Sequence, residues 1–216
     1  GNKDPMLVVS KFGEEIFGDK LKKILAKGEI KDWSLKVVPN LYPAFIHEHG
    51  KIKTNQSGPF KIVKGIGHHE IVVTQNHDNN FPNLSEKQAL EVFRAFQIRY
   101  QKLATEECSA YVSIFHNWGP KSGASIYHPH YQIMGIPVVP PDVEHSISGA
   151  TEYFKKYKKC VHCEIIKFEK KQKSRIIYEN KDAIVFAPFI SKEPFEIRVF
   201  PKKHLSFFED TSLKDL

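Results

Sequence analysis

Three polar side chains alternate along a short segment near the middle of the chain: His128, His130 and Gln132. Alternate residues of a β-strand share one face, so a strand here would place two imidazoles and an amide side by side. A neutral imidazole can attack phosphorus and leaves readily once it is protonated. An amide can donate hydrogen bonds to phosphoryl oxygens. The segment therefore indicates phosphoryl-transfer chemistry, with His130 as the nucleophile.

A loop rich in small residues precedes this segment and reads NWGPKSGAS over residues 117–125. Its glycines allow backbone N–H groups to approach a phosphate closely, and the side chains of Asn117 and Ser125 can donate to phosphoryl oxygens. Two histidines two residues apart would alone be a weak signal, because they also suit a structural role. The adjoining loop and Gln132 favour a functional site.

One long helix and several short strands must position these residues. Residues 85–106 carry apolar side chains at helical spacing, and Ser85 with Gln88 predicts a capping box at the start. Short segments rich in β-branched and aromatic residues predict strands at 33–38, 70–74, 110–115, 131–135, 175–178, 183–186 and 196–200. This order favours hairpins with a helix across a sheet over alternating βαβ units, so we expect an α+β fold.

Prolines and small residues after the strand at 131–135 predict a domain boundary. These residues are Pro137, Pro140, Pro141, Ser146, Ser148 and Gly149. We expect a first unit over residues 1–145 and a second over 146–216. In each unit a strand with Glu-Ile is followed by a histidine, Glu70 by His77 and Glu196 by His204. This indicates a duplicated unit, although so short a pattern also recurs by chance.

The composition is that of an ordinary globular protein, with 216 residues, 41% apolar and 26% charged. No stretch approaches the roughly 20 apolar residues of a membrane span, and the first residues do not form a signal peptide, so we expect a cytoplasmic protein without a membrane partner.

The net charge of +7 is concentrated in residues 155–175. A solvated helix face and loop explains that segment better than nucleic-acid binding, because no recognised nucleic-acid module is present.

The chain has three cysteines, and their odd number argues against a disulfide framework. Cys160 and Cys163 form a C-x-x-C pattern, which is used for metal binding or redox chemistry and also occurs as free thiols. No thioredoxin-like βαβ context surrounds it, so the pattern favours a structural zinc site. We expect Cys108 to be a small buried residue.

The segment HPHYQ at residues 128–132, with Asn117 and the Gly-Ala-Ser of residues 123–125, resembles the active-site motif of the galactose-1-phosphate uridylyltransferases. These enzymes belong to the histidine-triad superfamily. Further segments resemble family signatures at residues 38–44, 67–77, 139–141, 160–163 and 201–204. The resemblance covers nearly the whole chain and includes the ADP-sugar phosphorylase-like branch. It implies tandem histidine-triad-like units, each an antiparallel sheet with helices packed on it.

The resemblance also implies a reaction in two steps. His130 would take UMP from UDP-glucose as a covalent uridylyl-histidine, and galactose 1-phosphate would then remove it. Gln132 would hydrogen-bond the transferred phosphoryl group. The implied substrate-binding residues are Phe115, Asn117, Gly123, Ala124, Ser125 and Gln132. The implied partners are therefore a nucleotide sugar and a sugar phosphate, and the implied assembly is a homodimer.

Zinc is a further implication of the resemblance. His77 and His128 would supply two ligands of one site, and a C-x-x-C near the N-terminus would supply the others. The sequence has no such pair there, but Gly1-Asn2 resembles the end of that motif. We therefore expect the chain to be truncated at this end. If the pair is truly missing, His77 and His128 are simply hydrogen-bonded.

A second zinc site would use Cys160, Cys163 and His204. Its fourth ligand in relatives is a histidine further along, beyond Leu216, so truncation is expected at this end as well.

Two other functions stay open. One is an ADP-sugar or dinucleotide phosphorylase that uses His130 with phosphate as acceptor. The other is a nucleotide-binding zinc module without catalysis.

Overall fold

The chain divides into two compact units, Gly1–Val139 and Pro140–Leu216. The computed structural model describes residues 4–28, 30–48, 53–124 and 126–216. The division falls between residues 139 and 140, whereas the sequence placed it between 145 and 146, because a helix starting at Pro141 continues through the expected boundary. No helix among the described residues is long and apolar enough to cross a membrane.

The first unit contains eight strands and two α-helices among its described residues. They are β1 (Leu7–Ser10), β2 (Glu15–Phe17), α1 (Gly18–Leu25), β3 (Trp33–Pro39), β4 (Thr54–Ser57), β5 (Phe60–Val63), β6 (His68–Thr74), α2 (Glu86–Ala104), β7 (Tyr111–Phe115) and β8 (His130–Ile136). Six of the strands form an antiparallel sheet in the order β2-β1-β3-β6-β8-β7. The other two, β4 and β5, form a separate hairpin.

Helix α2 covers one face of this sheet. Alternate residues of the central strands point towards it, and Leu35, Val72 and Ile133 are completely buried there. The ring of Tyr131 packs edge-on against Phe96 of α2, with centroids 5.6 Å apart. Alternation along each strand then directs the intervening residues to the opposite face.

The opposite face of the sheet carries the polar residues of β8. Helix α1 packs against this face at the β1–β2 edge, where Val8, Ile16 and Leu21 form a small core. Further along the sheet, His130 and Gln132 of β8 lie opposite Val73 and Ile71 of β6 and are partly exposed. The fold therefore buries one face under α2 and presents His130 and Gln132 on the other.

The second unit combines two helices with a three-stranded antiparallel sheet. Its elements are α3 (Pro141–Tyr157), α4 (Val161–Gln172), β9 (Ile176–Glu179), β10 (Ala183–Phe186) and β11 (Arg198–Pro201), and the strand order is β11-β10-β9. The expected α+β class with antiparallel sheets and packed helices is confirmed. The interpretation of the two units as tandem histidine-triad-like repeats stays a prediction.

Candidate functional site

His130 is the first residue of β8, and its ring is held in one tautomer. Nδ1 donates a hydrogen bond to the backbone carbonyl of His128 over 2.9 Å. A carbonyl can only accept, so Nδ1 carries the proton and Nε2 presents a lone pair. The half-buried side chain lies on the face away from α2. Nε2 is therefore available to attack a ligand on that face.

A second histidine stabilises the backbone at this point. His116 donates from Nδ1 to the backbone carbonyl of His130 over 2.6 Å, and its ring lies 4.6 Å from that of Tyr131. Both His116 Nε2 and the Tyr131 hydroxyl are buried without a hydrogen-bond partner among the described residues. Burial raises the pKa of Tyr131 to about 12, so this hydroxyl stays protonated. The rings of His116 and Tyr131 pack together on the face of the sheet that α2 covers, opposite the face of His130.

Gln132 is oriented by a residue that the sequence analysis did not assign to the site. His69 donates from Nε2 to Oε1 of Gln132 over 2.8 Å, while the backbone N–H of Ala44 donates to Nδ1 of His69 over 3.0 Å. Because an N–H can only donate, Nδ1 accepts and Nε2 must carry the proton. The amide NH₂ of Gln132 is then directed away from His69. The available signal was a polar residue on an otherwise apolar face of β6.

His128 does not lie on the strand, which corrects the expectation that it projects beside His130 and Gln132. Strand β8 is central and begins only at His130, because Pro129 has no N–H to contribute to the ladder. His128 instead donates from Nε2 to the carbonyl of Thr74 over 2.8 Å. This hydrogen bond engages Nε2 and leaves Nδ1 of His128 for a metal ion. The ring of His128 lies 4.2 Å from that of His77.

The expected first metal site is therefore only partly built by the residues that the structure describes. His77 and His128 meet, as two imidazole ligands of one ion would. Within the described ranges, no third histidine, cysteine or carboxylate completes a cluster with them. Imidazole nitrogen is a suitable zinc ligand, so the pair fits half of a tetrahedral site.

The loop after β7 adopts a tight turn. Gly119 and Gly123 have φ of 82° and 80°, a backbone conformation that favours glycine. The N–H groups of Gly123 and Ala124 donate to carbonyls of the same loop over 3.1 and 3.3 Å, so they are already engaged. Ser125 lies outside the described residues.

Phe115 lies next to Gln132 on the sheet. It is the last residue of β7 and is paired directly opposite Gln132, so both side chains lie on the face of His130. Asn117 follows it by two residues, in the loop. The structure thus brings Phe115, Gln132 and His130 together on one face, with Asn117 near the end of β7.

The C-x-x-C segment meets a histidine in the second unit. The ligand atoms of Cys160, Cys163 and His204 all lie within 4.8 Å of one another, and Sγ of Cys163 is 3.2 Å from Nδ1 of His204. Burial opposes ionisation of Cys160, but hydrogen bonds from Cys163 and from the backbone of His162 hold its pKa below the ordinary value. Two thiols and an imidazole are a donor set that zinc accepts.

Comparisons with known proteins point to one family. The family described as galactose-1-phosphate uridyl transferase, N-terminal domain, matches residues 26–140. The ADP-glucose phosphorylase of Arabidopsis thaliana is 32% identical over 190 residues, which cover 86% of this chain and 53% of the relative. The galactose-1-phosphate uridylyltransferase of Thermotoga maritima is 29% identical over 177 residues, covering 82% and 55%.

Solved structures of the same two kinds of enzyme share the fold. A uridylyltransferase superposes with a TM-score of 0.77 at 29% identity, covering 87% of this chain and 59% of that one. An ADP-glucose phosphorylase from Arabidopsis thaliana with bound ADP-glucose gives 0.71 at 28%, covering 86% and 57%. The chain spans about half the length of the curated relatives it matches. It belongs to the galactose-1-phosphate uridylyltransferase family, in which the ADP-glucose phosphorylase branch is included.

Proposed function

We propose that this chain carries out nucleotidyl transfer through a covalent intermediate on His130. In the first step, Nε2 attacks the α-phosphorus of UDP-glucose. A P–N bond forms, the P–O bond to glucose 1-phosphate breaks, and glucose 1-phosphate leaves. In the second step, a phosphate oxygen of galactose 1-phosphate attacks the same phosphorus, UDP-galactose leaves, and the P–N electron pair returns to Nε2.

The observation that carries this proposal is the hydrogen bond from Nδ1 of His130 to the carbonyl of His128, at 2.9 Å. It directs the lone pair of Nε2 outwards without a general base. When Nε2 bonds to phosphorus the ring becomes cationic, and the same carbonyl stabilises the charge on Nδ1–H. The acceptor is already an anion, so catalysis depends on positioning and charge stabilisation.

Gln132 would stabilise the phosphoryl group in both steps. Its NH₂ group is directed away from His69, and it would donate to a phosphoryl oxygen as negative charge develops there. Phe115, opposite Gln132 on β7, would contact the nucleotide. Asn117, Gly123, Ala124 and Ser125 would bind the phosphates, and the two engaged N–H groups of the loop would have to exchange their partners to contribute.

An ADP-glucose phosphorylase is the second candidate, favoured by the relative from Arabidopsis thaliana at 32% identity. The first step would be the same attack by His130, with AMP in place of UMP. Inorganic phosphate would then be the acceptor and ADP the product. Both candidates use a nucleotide sugar. The homodimer and the cytoplasmic location stay predictions.

Zinc would have a structural role in this proposal. Cys160, Cys163 and His204 would hold one ion in the second unit, and His77 with His128 would provide two ligands for another. A bound ion supplies a rigid cross-link between segments distant in sequence. The ion at His77 and His128 would also help to keep the nucleophile in place, because the carbonyl of His128 accepts the hydrogen bond from His130.

Intact mass measurement after incubation with UDP-glucose or ADP-glucose tests the proposal. We expect a nucleotidyl adduct that His130→Ala abolishes and that the matched control His145→Gln, on helix α3, retains. A uridylyl adduct supports the transferase and an adenylyl adduct the phosphorylase. Nucleotide binding without any adduct would instead support the non-catalytic module and overturn both enzymatic proposals.

A further inference from the structure

Three ligand-type side chains converge at the end of the first unit's sheet, away from His130. They are His47, His68 and Cys108, and their ligand atoms all lie within 4.8 Å of one another. The rings of His47 and His68 have centroids 4.4 Å apart and are tilted by 33°. Cys108 is only 3% exposed. Two imidazoles and a buried thiol at this separation form a candidate metal site.

Backbone hydrogen bonds hold the two loops of this cluster in place. The N–H of Ile46, next to His47, donates to the carbonyl of Gly65, and the N–H of Gly67 donates back to Ile46, each over 3.1 Å. On the other side of the cluster, the N–H of Ala110 donates to Ile136 over 2.8 Å. His47 and Cys108 thus lie on segments that are hydrogen-bonded to the residues just before β6 and to the end of β8.

The ring of His68 lies next to a glycine of the neighbouring strand. His68 is the first residue of β6 and pairs with Gly135 of β8. A Cβ on Gly135 would lie 3.4 Å from Cδ2 of His68 and 2.3 Å from Oγ of Ser109. The imidazole therefore packs at van der Waals distance from residue 135 of the neighbouring strand, while a side chain there would clash with Ser109.

Nε2 of His68 is buried and has no hydrogen-bond partner in the part of the chain that the structure describes. Most buried side-chain polar atoms in folded proteins do have a partner, so an orphan of this kind requires an explanation. A metal ion bound among the ligand atoms of the cluster would supply the missing partner. This observation is independent of the mutual distances of the ligand atoms.

We infer that His47, His68 and Cys108 bind Zn²⁺. Zinc accepts nitrogen and thiolate ligands at about 2.0–2.1 and 2.3 Å, which places tetrahedral ligand atoms roughly 3.3–3.7 Å apart. The three side chains therefore need to close by at most about 1 Å. Hard cations such as Mg²⁺ and Ca²⁺ prefer oxygen ligands and do not suit this set.

A fourth ligand position remains for water or a nearby carboxylate. Glu106 interacts electrostatically with both imidazoles and pairs with Lys102 over 2.7 Å. Its negative charge, together with that of a Cys108 thiolate, would balance a divalent cation. The site is thus compatible with zinc in charge as well as in ligand type.

This site is separate from the proposed nucleotide site. His68 and His69 are neighbours on a strand, so their side chains point to opposite faces, and only His69 contacts Gln132. Along the paired strands, His68 lies opposite Gly135 while His130 lies opposite Val73, a separation of about 17 Å. The ion would be structural, joining the segment after α2 to the start of β6.

Titration of a Cys160→Ser/Cys163→Ser variant with Co²⁺, which replaces zinc and reports thiolate ligands by a charge-transfer band, tests the inference. Because the chain has three cysteines, Cys108 is then the only thiol. We expect a saturable thiolate–Co²⁺ band that disappears with the further change Cys108→Ser. In the same Cys160→Ser/Cys163→Ser background, His47→Ala should weaken Co²⁺ affinity by about tenfold or more. The exposed control His145→Gln should not change it.

Two results would overturn the inference. One is the absence of the band in the Cys160→Ser/Cys163→Ser variant when circular dichroism shows that the protein is folded. The other is a band that His47→Ala leaves unchanged in position and affinity, since His47 is exposed and its replacement should not disturb the core. An ion held only by His77 and His128 would give no thiolate band, so this outcome would also overturn the inference.

Discussion

His69 on β6 donates from Nε2 to Oε1 of Gln132 on the neighbouring strand β8, over 2.8 Å. The direction of this hydrogen bond is set by Ala44, whose backbone N–H occupies the other ring nitrogen. An amide can turn over by half a rotation with little cost when nothing distinguishes its two ends. His69 distinguishes them, so we assign it as a positioning residue that turns the NH₂ of Gln132 towards the ligand.

Replacement of His69 should slow the first chemical step more than it weakens binding. We expect His69→Leu to lower the rate constant of adduct formation by about tenfold, which corresponds to roughly one hydrogen bond. His69→Gln should retain more of the rate, because its amide can accept from Ala44 and donate to Gln132. Single-turnover mass measurement gives the rate, and titration with the nucleotide sugar gives its affinity.

A double-mutant cycle separates this role from a general loss of structure. In a Gln132→Leu background, the additional change His69→Leu should have little further effect on the rate, because the residue through which it acts is already gone. Losses that multiply fully in the double variant would show that His69 acts independently of Gln132, and the assignment would be wrong.

Several elements could be predicted from local pattern alone. The capping box is confirmed, since Oγ of Ser85 accepts from the N–H of Gln88 and the Gln88 side chain accepts from the N–H of Ser85. The strands around residues 131–135 and 183–186 are also confirmed. In each case the deciding feature, a cap or an alternation of residue types, lies within a few residues, and the sequence therefore contains it directly.

Contacts that depend on strand register could not be predicted in this way. The bond between His69 and Gln132 requires β6 and β8 to pair in one register, which is determined by the whole sheet. Local signals also give the position of a domain boundary only approximately. The units divide at Pro140, as the prolines suggested, but the expected position between residues 145 and 146 lies inside α3. A proline suits the first position of a helix, and α3 begins at Pro141.

The ion pair between Glu70 and Arg99 should be important for stability. Glu70 is 1% exposed, and both of its carboxylate oxygens accept from the guanidinium of Arg99, over 2.7 and 2.6 Å. Arg99→Met would leave a buried carboxylate without a partner and should lower the free energy of unfolding by about 3–5 kcal/mol. Urea denaturation followed by circular dichroism measures this change.

Two comparisons make that prediction specific. Glu70→Leu combined with Arg99→Met should recover much of the loss, because replacing a buried pair by apolar residues is often neutral. Lys22→Ala removes an ion pair whose two side chains are 81% and 88% exposed, and it should leave stability unchanged. An Arg99→Met variant as stable as the unmodified chain would contradict the assigned importance of the pair.

Two glycine substitutions should change stability in opposite directions. A Cβ on Gly67 would lie 2.3 Å from the backbone carbonyl of Gly135, which cannot move without disturbing β8. Gly67→Ala should therefore destabilise the protein by about 1–3 kcal/mol. Gly149 lies inside α3 with nothing within 4 Å of its Cβ position, so Gly149→Ala should stabilise by about 0.5–1 kcal/mol. Thermal unfolding of both variants checks the signs, and two shifts of equal sign would refute the steric argument.

The cluster of Cys160, Cys163 and His204 allows three chemical states to be distinguished by thiol reactivity. In a Cys108→Ser background only the C-x-x-C thiols remain. If they bind zinc, they should react slowly with a disulfide reagent and rapidly once a chelator is added, since bound thiolates are protected. His204→Ala should remove much of that protection by weakening zinc affinity about tenfold or more. Rapid reaction without a chelator would show free thiols, and no reaction until a reductant is added would show a disulfide. Either outcome would contradict the zinc assignment.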